Sequence, residues 1–550
     1  MISTTDILIS ATYILIMVVI GMRAGLRGKT GSGESSSGDY FLAGKSLRWP
    51  MIGLALFATN ISCVHLVSLA QSGFDSGLLN GNFEWMAAFT LILLALFFVP
   101  FYIKSGVATL PDFLERRYNR ACRDWLTIIS LLSAVVIHIA FSLLAGGIVI
   151  ETLFGIDMYI SVSAISAVVA VYTIIGGLRA VVVTESVQTV VLIIGALLIT
   201  AASWFKMGGW TPLVEVLESS GTTDRLSMLR PHGDSSGMPW YSIFLGYPIL
   251  GIWYWCADQT IVQRVLGAKD ENNARVGALF CGFIKILPVF IFVLPGLFAY
   301  ALVQKGLLDI SSITTVSASG DQVIDSKGIY TLMITQLLPS GLVGIVVAAL
   351  LSGLMSQVSG ALNSIATLVS FDLVQRSRPD TSDKQLVAYG RIAATVALLL
   401  SIALLPLLNL YESLFIGLND IIAHIAPPIT CVFLLGVFWK GASAQSAKLT
   451  LWIGSLLGVL VYVVNKLYPE SVIGQVPFMM MAFYLFVSCV LLQVAFSFLY
   501  PVRHTTASAA LYWRTPWEPL NRPAWKGFGN YKFLSLLLLG VMAMLYMVFY

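Results

Sequence analysis

Four long apolar stretches of the chain carry clustered polar residues of types that could bind a cation. They read LALFATNISCVHLVSLAQSG (54–73), GYPILGIWYWCADQTIVQR (246–264), LLSGLMSQVSGALNS (350–364) and GLNDIIAHIAPPIT (417–430). Interrupted helices free backbone carbonyls, which together with hydroxyl groups are good oxygen ligands for an alkali cation. Such interruptions are tolerated in lipid where they face protein or a water-filled cavity. Because polar groups are costly in lipid, we interpret the four clusters as functional and expect breaks in the helices that contain them.

Motifs for enzymatic chemistry are missing from the sequence. It contains no HExxH or GxSxG, and the GKT at Gly28–Thr30 is not a phosphate-binding loop because Arg23 stands where the first glycine belongs. The six cysteines lie mostly in apolar runs without metal spacing, which is typical of buried small hydrophobic residues rather than disulfides. We therefore predict that the protein is not an enzyme, and that it is not an ATP-driven pump.

The composition is typical of an integral membrane protein. Of the 550 residues, 57% are hydrophobic and 11% are charged, whereas water-soluble chains carry about 25% charged residues. The net charge of +4 is unremarkable, and we expect the lipid bilayer, not nucleic acid, as a partner. The first apolar run, Ile7–Met22, lacks a preceding basic region and a following cleavage site, so we interpret it as a retained span rather than a signal peptide.

The hydropathy pattern predicts a chain that crosses the membrane many times. A spanning helix needs about 20 mostly apolar residues because the hydrocarbon core is roughly 30 Å thick. All spans are expected to be helices, since open sheet edges cannot be satisfied in lipid. The fourteen predicted spans are residues 5–24, 47–72, 83–103, 125–153, 158–176, 180–204, 241–264, 277–304, 341–369, 386–410, 414–439, 447–467, 477–499 and 533–550.

The distribution of Lys and Arg predicts the orientation of these spans. Alternate loops hold 25 and 6 of the 32 Lys and Arg residues, and Lys285 lies inside a span. Because positive charge accumulates on the cytoplasmic side, the richer set of loops is expected in the cytoplasm. With fourteen spans, both termini are then outside, and the protein is a multi-pass protein of the plasma or inner membrane.

The second and seventh predicted spans, each with clustered polar residues, lie five spans apart. Two repeats of five helices must run in opposite directions because five is odd. This is the inverted-repeat plan of many secondary transporters, whose binding sites lie at mid-membrane between broken helices. The pattern alone supports this symmetry, since the two halves share no clear sequence identity.

A series of family-like motifs runs in order through residues 47–439. They include ATNIS (58–62), NFEWMAAFTL (82–91), LPDFLERRYN (110–119), IIGGLRAVVVTESVQ (174–188), WYWCADQTIVQR (253–264), AALLSGLMSQVSGALNSIATLVSFDL (348–373) and PPITCVFLLGVFW (427–439). In these stretches the chain resembles the sodium/solute symporter family, and within it the sodium-driven glucose and galactose cotransporters.

The resemblance implies an all-α membrane protein with a 5+5 inverted-repeat core of the leucine-transporter type. Extra spans are expected on both sides of that core. The predicted regions are residues 1–46 (an extra span and a cytoplasmic linker), 47–204 (the first repeat), 205–240 (an extracellular loop), 241–439 (the second repeat) and 440–550 (three accessory spans).

The resemblance also implies sites for sodium. The family's common site uses backbone carbonyls of the first core helix together with carbonyl and hydroxyl groups of the eighth. The matching residues are Ala58, Ile61, Gly353, Ser356 and Gln357. Gln357 is a departure, since family members commonly have a second serine there. A possible second sodium site would use Glu185, where an aspartate is usual, and Ser359.

The same resemblance implies residues that contact a sugar. The polar positions are Glu84, Lys285, Asn419 and His65, and Tyr254 matches the tyrosine that stacks under the sugar as an inner gate. Phe83 and Phe415 match the aromatic outer gate. The galactose carriers have glutamine where His65 stands and asparagine where Gly251 stands, so the hydrogen bonds offered to a solute differ. Asp258, Asp420 and His424 are left without a predicted role.

The prediction for function is a secondary active transporter that couples sodium to the uptake of a sugar-like solute by alternating access. Two alternatives stay open. A symporter of the same family could carry another solute, such as an inositol, an acidic sugar, a vitamin or an amino acid. A membrane sensor could keep the fold without transport, although no kinase or signalling domain is present in the sequence.

Overall fold

The computed structural model describes residues 3–27, 36–234, 236–316, 322–409 and 414–550, without the side chains of residues 27, 316, 322 and 414–416. Residues 28–35, within the predicted region of the cytoplasmic linker, therefore lie outside the described residues, as does the side chain of Phe415. The described part is helical apart from turns, loops and a short hairpin of β1 (Thr314–Val316) and β2 (Gln322–Ile324), which pair antiparallel.

Helices fill the first half of the chain. Their bounds are α1 Thr4–Arg27, α2 Ser37–Leu42, α3 Trp49–Asn60, α4 Cys63–Ser76, α5 Asn82–Leu93, α6 Val99–Ser105, α7 Leu110–Arg117, α8 Arg120–Ser133, α9 Phe141–Phe154, α10 Met158–Met207, α11 Trp210–Ser219, α12 Trp240–Ile252 and α13 Gln259–Leu266. Wider π-helical turns, which recur at functional sites, follow α5, α8 and α12; they are Leu94–Phe98, Ala134–Ala140 and Trp253–Ala257.

The second half continues in the same way. Its helices are α14 Glu271–Ile284, α15 Leu294–Gln304, α16 Ile329–Leu337, α17 Leu342–Leu368, α18 Asp383–Ala403, α19 Leu405–Leu408, α20 Leu414–Phe438, α21 Ala444–Leu467, α22 Phe478–Leu499, α23 Thr506–Ala509 and α24 Tyr531–Val548. Two more π-helical turns lie at Val289–Val293 and Val369–Gln375.

Eleven helical segments among the described residues are long and apolar enough to cross a membrane. That number is below the fourteen predicted spans, partly because the longest segment, α10, contains two of them. Its 50 residues would extend about 75 Å at roughly 1.5 Å per residue. A length of that kind exceeds one hydrocarbon core of roughly 30 Å and leaves room for both spans predicted within residues 158–204. The number of fourteen membrane spans stays a prediction.

A sharp bend at Gly177 divides α10. Gly177 has φ 63° and ψ −164°, a conformation that residues with a side chain rarely adopt. A Cβ atom at this position would also lie 2.5 Å from the backbone oxygen of Tyr40. Glycine therefore permits both the bend and the close approach of α2, which explains why the two predicted spans meet here.

Two of the four polar stretches contain an interruption of the helix. Ile61 and Ser62 are extended between α3 and α4, and Asp258 is extended between the π-helical turn and α13. The expectation of breaks in the other two stretches was wrong, because α17 runs unbroken through Gly353 and α20 runs unbroken through Pro427 and Pro428.

Several hydroxyl groups of the unbroken α17 bond to the preceding turn of the helix itself. Ser352 donates to the Ala348 carbonyl at 2.7 Å, and Ser359 donates to the Ser356 carbonyl at 3.0 Å. Hydroxyl groups can bond to the preceding turn in this way inside a membrane helix. The helix is buried along nearly its whole length between α10, α1, α3 and α18, so it forms the centre of the molecule.

Candidate functional site

The break between α3 and α4 exposes backbone groups next to α17. Ile61 and Ser62 are extended, so the hydrogen-bond ladder of α3 stops there. Ser62 and His65 then cap the start of α4 reciprocally, and Nδ1 of His65 accepts from the Ser62 N–H at 3.3 Å. Serine followed three residues later by a polar acceptor is a helix-start signal. The local sequence thus starts a new helix immediately after the break.

Predicted sodium ligands meet at this break. The Ser356 hydroxyl donates to the Ala58 carbonyl at 2.8 Å and lies 3.1 Å from the Gly353 carbonyl. A Cβ atom on Gly353 would be 3.1 Å from the Ser62 carbonyl carbon, so the missing side chain lets α17 approach the break. Ile61 is the first extended residue after α3. The structure therefore brings these residues together, and their role as sodium ligands stays a prediction.

Gln357, the remaining predicted ligand, contacts a different helix. Its Nε2 atom lies 2.6 Å from Nδ1 of His138. Its Oε1 atom is buried and has no hydrogen-bond partner among the described residues. Leaving such an atom unsatisfied costs about 1–3 kcal/mol, and a bound cation would satisfy it. The carbonyl, hydroxyl and amide oxygens gathered here are neutral and therefore fit an alkali cation.

Glu185 and Ser359, predicted as a possible second sodium site, make other contacts. Both oxygens of Glu185 accept from Arg264, at 2.5 Å from Nη2 and 3.3 Å from Nε, and Thr59 donates to Oε1 at 3.0 Å. The Ser359 hydroxyl bonds to the backbone of α17. Arg264 neutralises the carboxylate that was expected to attract a cation. A second sodium site at these residues stays a prediction.

A cavity of about 710 Å³, counting the part open to solvent, lies beside the break. It contains all five side chains that were predicted to contact a solute, together with Phe83. Its lining residues are Asn60, Ser62, Val64, His65, Phe83, Glu84, Ile137, His138, Ser142, Tyr247, Leu250, Gly251, Tyr254, Trp255, Lys285, Gln357, Leu418, Asn419 and Ile422. Concave sites with mostly apolar walls and a few convergent polar groups are typical of small-molecule binding.

An ion pair forms the polar side of the cavity. Lys285 donates to Glu84 and, at 2.5 Å, to Oδ1 of Asn60. Both charged side chains are 1% exposed, and Trp255 lies beside the ammonium group at 5.7 Å from its ring centroid. Removing one member of a buried pair leaves an uncompensated charge. The pair therefore supplies fixed hydrogen-bonding groups while adding no net charge to the cavity.

Aromatic rings line two parts of the cavity. Tyr254 lies in the π-helical turn before the second break, between Trp253 and Trp255. Phe83 packs against Tyr247 with ring centroids 5.9 Å apart and stacks on Phe478 at 6.3 Å. Phe83 and Tyr254 both line the cavity. Whether they act as gates stays a prediction, and the other predicted gate side chain, Phe415, lies outside the described residues.

Sequence reasoning missed two buried residues at this site. His138 contacts Gln357 and also Asp258, with Nε2 lying 3.2 Å from Oδ2. Arg264 binds Glu185, a contact that was not predicted from the sequence. A buried histidine in an otherwise apolar span was the available signal for His138, because ionisable residues in membrane helices face protein or cavities.

Known proteins resemble this chain in sequence. A family model described as the sodium:solute symporter family matches residues 40–454. Sodium/glucose cotransporter 1 of Ovis aries is 33% identical over 468 residues, which cover 82% of this chain and 70% of that protein. The sodium/mannose cotransporter of Bos taurus is 32% identical over 490 residues, covering 86% of this chain and 81% of that protein.

Solved structures resemble it in fold. One is the substrate-bound outward-open state of a Na+-coupled sialic acid symporter, with 21% identity, a TM-score of 0.77, and coverage of 92% of this chain and 100% of that one. Another is Mhp1, a nucleobase-cation-symport-1 family transporter in a closed conformation, with 14% identity, a TM-score of 0.51, and coverage of 86% and 97%. These likenesses confirm the predicted fold class, an all-α membrane protein with a leucine-transporter-type core.

Proposed function

The chain belongs to the sodium:solute symporter family, and we propose that it is a secondary active transporter that carries a sugar-like solute together with sodium. Sodium moving inward supplies the work. One elementary charge crossing 100 mV releases about 2.3 kcal/mol, which is enough for roughly 40-fold accumulation of a neutral solute. The protein is a membrane transporter rather than an enzyme.

The charge of the cavity supports a neutral solute. Lys285 is compensated by Glu84, so an acidic sugar would meet a cation that already has a carboxylate partner. Hydroxyl groups of a sugar can both donate to Glu84 and accept from Lys285 or Asn60. The nearby rings of Tyr254 and Trp255 offer apolar faces for the CH groups of a sugar ring. The names of the relatives, sodium/glucose and sodium/mannose cotransporters, support the same solute class.

The arrangement of the two breaks supports coupling between the ion and the solute. The predicted ion ligands belong to the first break and to α17, and the solute cavity lies beside the same break. A sodium ion held there would tie the first broken helix to α17, and so order Asn60 and His65 on the cavity side. Tyr254 would retain the solute from the inner side, and Phe83 with Phe415 from the outer side.

The predicted topology forms part of this proposal. Residues 47–204 and 241–439 would be the two inverted repeats, with residues 205–240 as an extracellular loop. Residues 1–46 and 440–550 would add peripheral spans. The excess of Lys and Arg in alternate loops supports a cytoplasmic position for those loops, with both termini outside. The protein would lie in the plasma or inner membrane.

Uptake of a labelled solute panel into proteoliposomes tests the proposal. The panel contains neutral hexoses, an inositol, an acidic sugar, a vitamin and an amino acid. We expect a neutral hexose to accumulate when a sodium gradient is imposed and not when choline replaces sodium. Preferred uptake of a non-sugar solute would replace the sugar assignment, and binding without uptake of any solute would support a sensor instead.

A further inference from the structure

Three buried side chains from three different helical segments form one hydrogen-bonded chain between the two helix breaks. Asp258 lies at the second break, His138 lies in the π-helical turn Ala134–Ala140, and Gln357 lies on α17 next to Ser356. Nε2 of His138 is 3.2 Å from Asp258, and Nδ1 is 2.6 Å from the amide nitrogen of Gln357. His138 is fully buried, and both of its partners are at least 96% buried.

The chemistry of these contacts fixes their direction. A carboxylate oxygen of Asp258 can only accept a hydrogen bond, so Nε2 of His138 carries the ring proton. Nδ1 faces the amide nitrogen of Gln357, which can only donate, so the lone pair of Nδ1 accepts from it. In many metal sites, a carboxylate that accepts from one ring nitrogen of a histidine fixes the tautomer in the same manner. The amide nitrogen of Gln357 is thereby held against His138, and its oxygen is left free.

The side-chain oxygen of Gln357 is the atom that requires a ligand. Gln357 is 4% exposed, and its Oε1 atom has no hydrogen-bond partner among the described residues. It follows Ser356, whose hydroxyl already lies between the carbonyls of Ala58 and Gly353. A serine at this position would offer an oxygen directly from Cβ. A glutamine is longer and has a nitrogen at its end, so its orientation must be imposed.

We propose that His138 and Asp258 are positioning residues that hold the Gln357 amide with its oxygen available as a sodium ligand. His138 binds the nitrogen, and Asp258 fixes the tautomer of His138 that can do so. This inference rests on the proposed function, since it deepens the assignment of the sodium site. It explains how a glutamine can replace the usual serine without loss of an oxygen ligand.

The same chain connects the ion site to the second break. Oδ1 of Asp258 accepts from the Ile261 N–H at 3.2 Å and so caps α13, immediately after the turn that carries Tyr254. A movement of this turn during transport would shift Asp258 and withdraw the support of His138. Release of sodium would then be linked to the opening of the inner side of the cavity.

Variants at His138 separate positioning from packing. In His138→Asn, the side-chain oxygen replaces Nδ1 as the acceptor for Gln357, whereas His138→Leu fills similar space and offers no acceptor. We expect His138→Leu to raise the sodium concentration for half-maximal binding about tenfold, the scale of one lost hydrogen bond to a buried group. For His138→Asn, we expect the sodium concentration for half-maximal binding to stay within about threefold of the wild-type value. Asp258→Asn can keep the helix cap, and its value should lie between those of the two His138 variants.

The measurements are binding of radioactive sodium to the purified protein and the solute KM at saturating sodium. His424→Leu is the matched control, since His424 is also buried but contacts Asp420 rather than Gln357. In a Gln357→Ser background, His138→Leu should no longer change sodium affinity, because serine cannot reach His138. Persistence of the full effect in that background would show that His138 acts through something other than Gln357.

Two further outcomes distinguish this inference from the proposed function. If Ser356→Ala weakens sodium binding and His138→Leu does not, the sodium site stands and the positioning role is overturned. If neither variant changes sodium binding, the sodium site itself is misplaced. A rise in solute KM at saturating sodium with unchanged sodium affinity in His138→Leu would place His138 in solute recognition and overturn the proposal.

Discussion

At the scale of single residues, the buried pair of Lys285 and Glu84 is the feature on which solute binding should depend most. Each side chain loses its partner when the other is changed, and each is proposed to bond to the solute. We therefore expect Lys285→Ala and Glu84→Gln each to weaken solute binding by about 1–3 kcal/mol, as for hydrogen bonds to charged groups. Calorimetric titration of the purified protein with the transported solute measures this change.

The control for that titration is Lys305→Ala, which removes an exposed lysine at the end of α15. It should bind solute like the wild type. Unchanged solute binding in both cavity variants, with the fold intact, would remove the sugar site from this cavity.

The aromatic ring of Tyr254, rather than its hydroxyl, should carry the inner gate. Tyr254→Phe keeps the ring that lies between Trp253 and Trp255, so we expect transport close to that of the wild type. Tyr254→Ala opens the floor of the cavity and should impair uptake severalfold. Initial rates of solute uptake into proteoliposomes compare the two. If both variants transport equally, Tyr254 contributes packing alone.

The role of a residue could be predicted when it depends on residues nearby in the sequence, and not when it depends on contacts with distant parts of the chain. The break between α3 and α4 was predicted from the neighbouring polar residues, and the cation ligands proposed around it were predicted from the family resemblance. The partners of Gln357 and Glu185 could not be predicted, because His138 and Arg264 are 219 and 79 residues away in the chain. Only the folded arrangement reveals that those side chains are already engaged.

At the scale of helices, the bend in α10 is the feature most sensitive to a small change. An alanine at Gly177 would have to adopt φ 63° and would place its Cβ atom 2.5 Å from the Tyr40 oxygen. We expect Gly177→Ala to lower the stability of the protein by at least about 1 kcal/mol, since the substitution is incompatible with the native backbone. Thermal unfolding in detergent, followed by a fluorescent thiol or tryptophan signal, measures the change.

A matched glycine offers the control for this experiment. Gly540 lies within α24, and a Cβ atom there would meet no heavy atom within 4 Å. Alanine is about 1 kcal/mol better than glycine in a helix interior, so Gly540→Ala should leave the unfolding temperature unchanged or raise it. Equal destabilisation by both substitutions would contradict the account of the bend.

The sequence predicted where helices occur better than where they break. Long apolar runs located the helices because the bilayer sets their length. The same polar composition led to an expectation of breaks in α17 and α20, yet both helices are continuous. In α17 the hydroxyl groups of Ser352, Ser359 and Thr367 bond to the helix itself, and the helix is buried among its neighbours. Polar residues in these spans therefore marked positions that line a buried cavity, but they did not determine whether the backbone unwinds.

At the scale of the whole molecule, the central claim is that sodium, and not a proton, drives uptake through this site. The predicted ion ligands are neutral oxygens around the first break, and the chain that supports Gln357 connects them to the second break. The solute cavity lies between the two breaks and shares Gln357 and His138 with the ion site. Ion and solute are thus expected to be bound and released together.

The most direct test compares solute uptake into proteoliposomes under two imposed gradients. One set of vesicles receives an inward sodium gradient at equal pH, and the other receives an inward proton gradient in sodium-free buffer. The account predicts accumulation of the solute above equilibrium with the sodium gradient and simple equilibration with the proton gradient. Equal accumulation on the proton gradient without sodium would contradict the account.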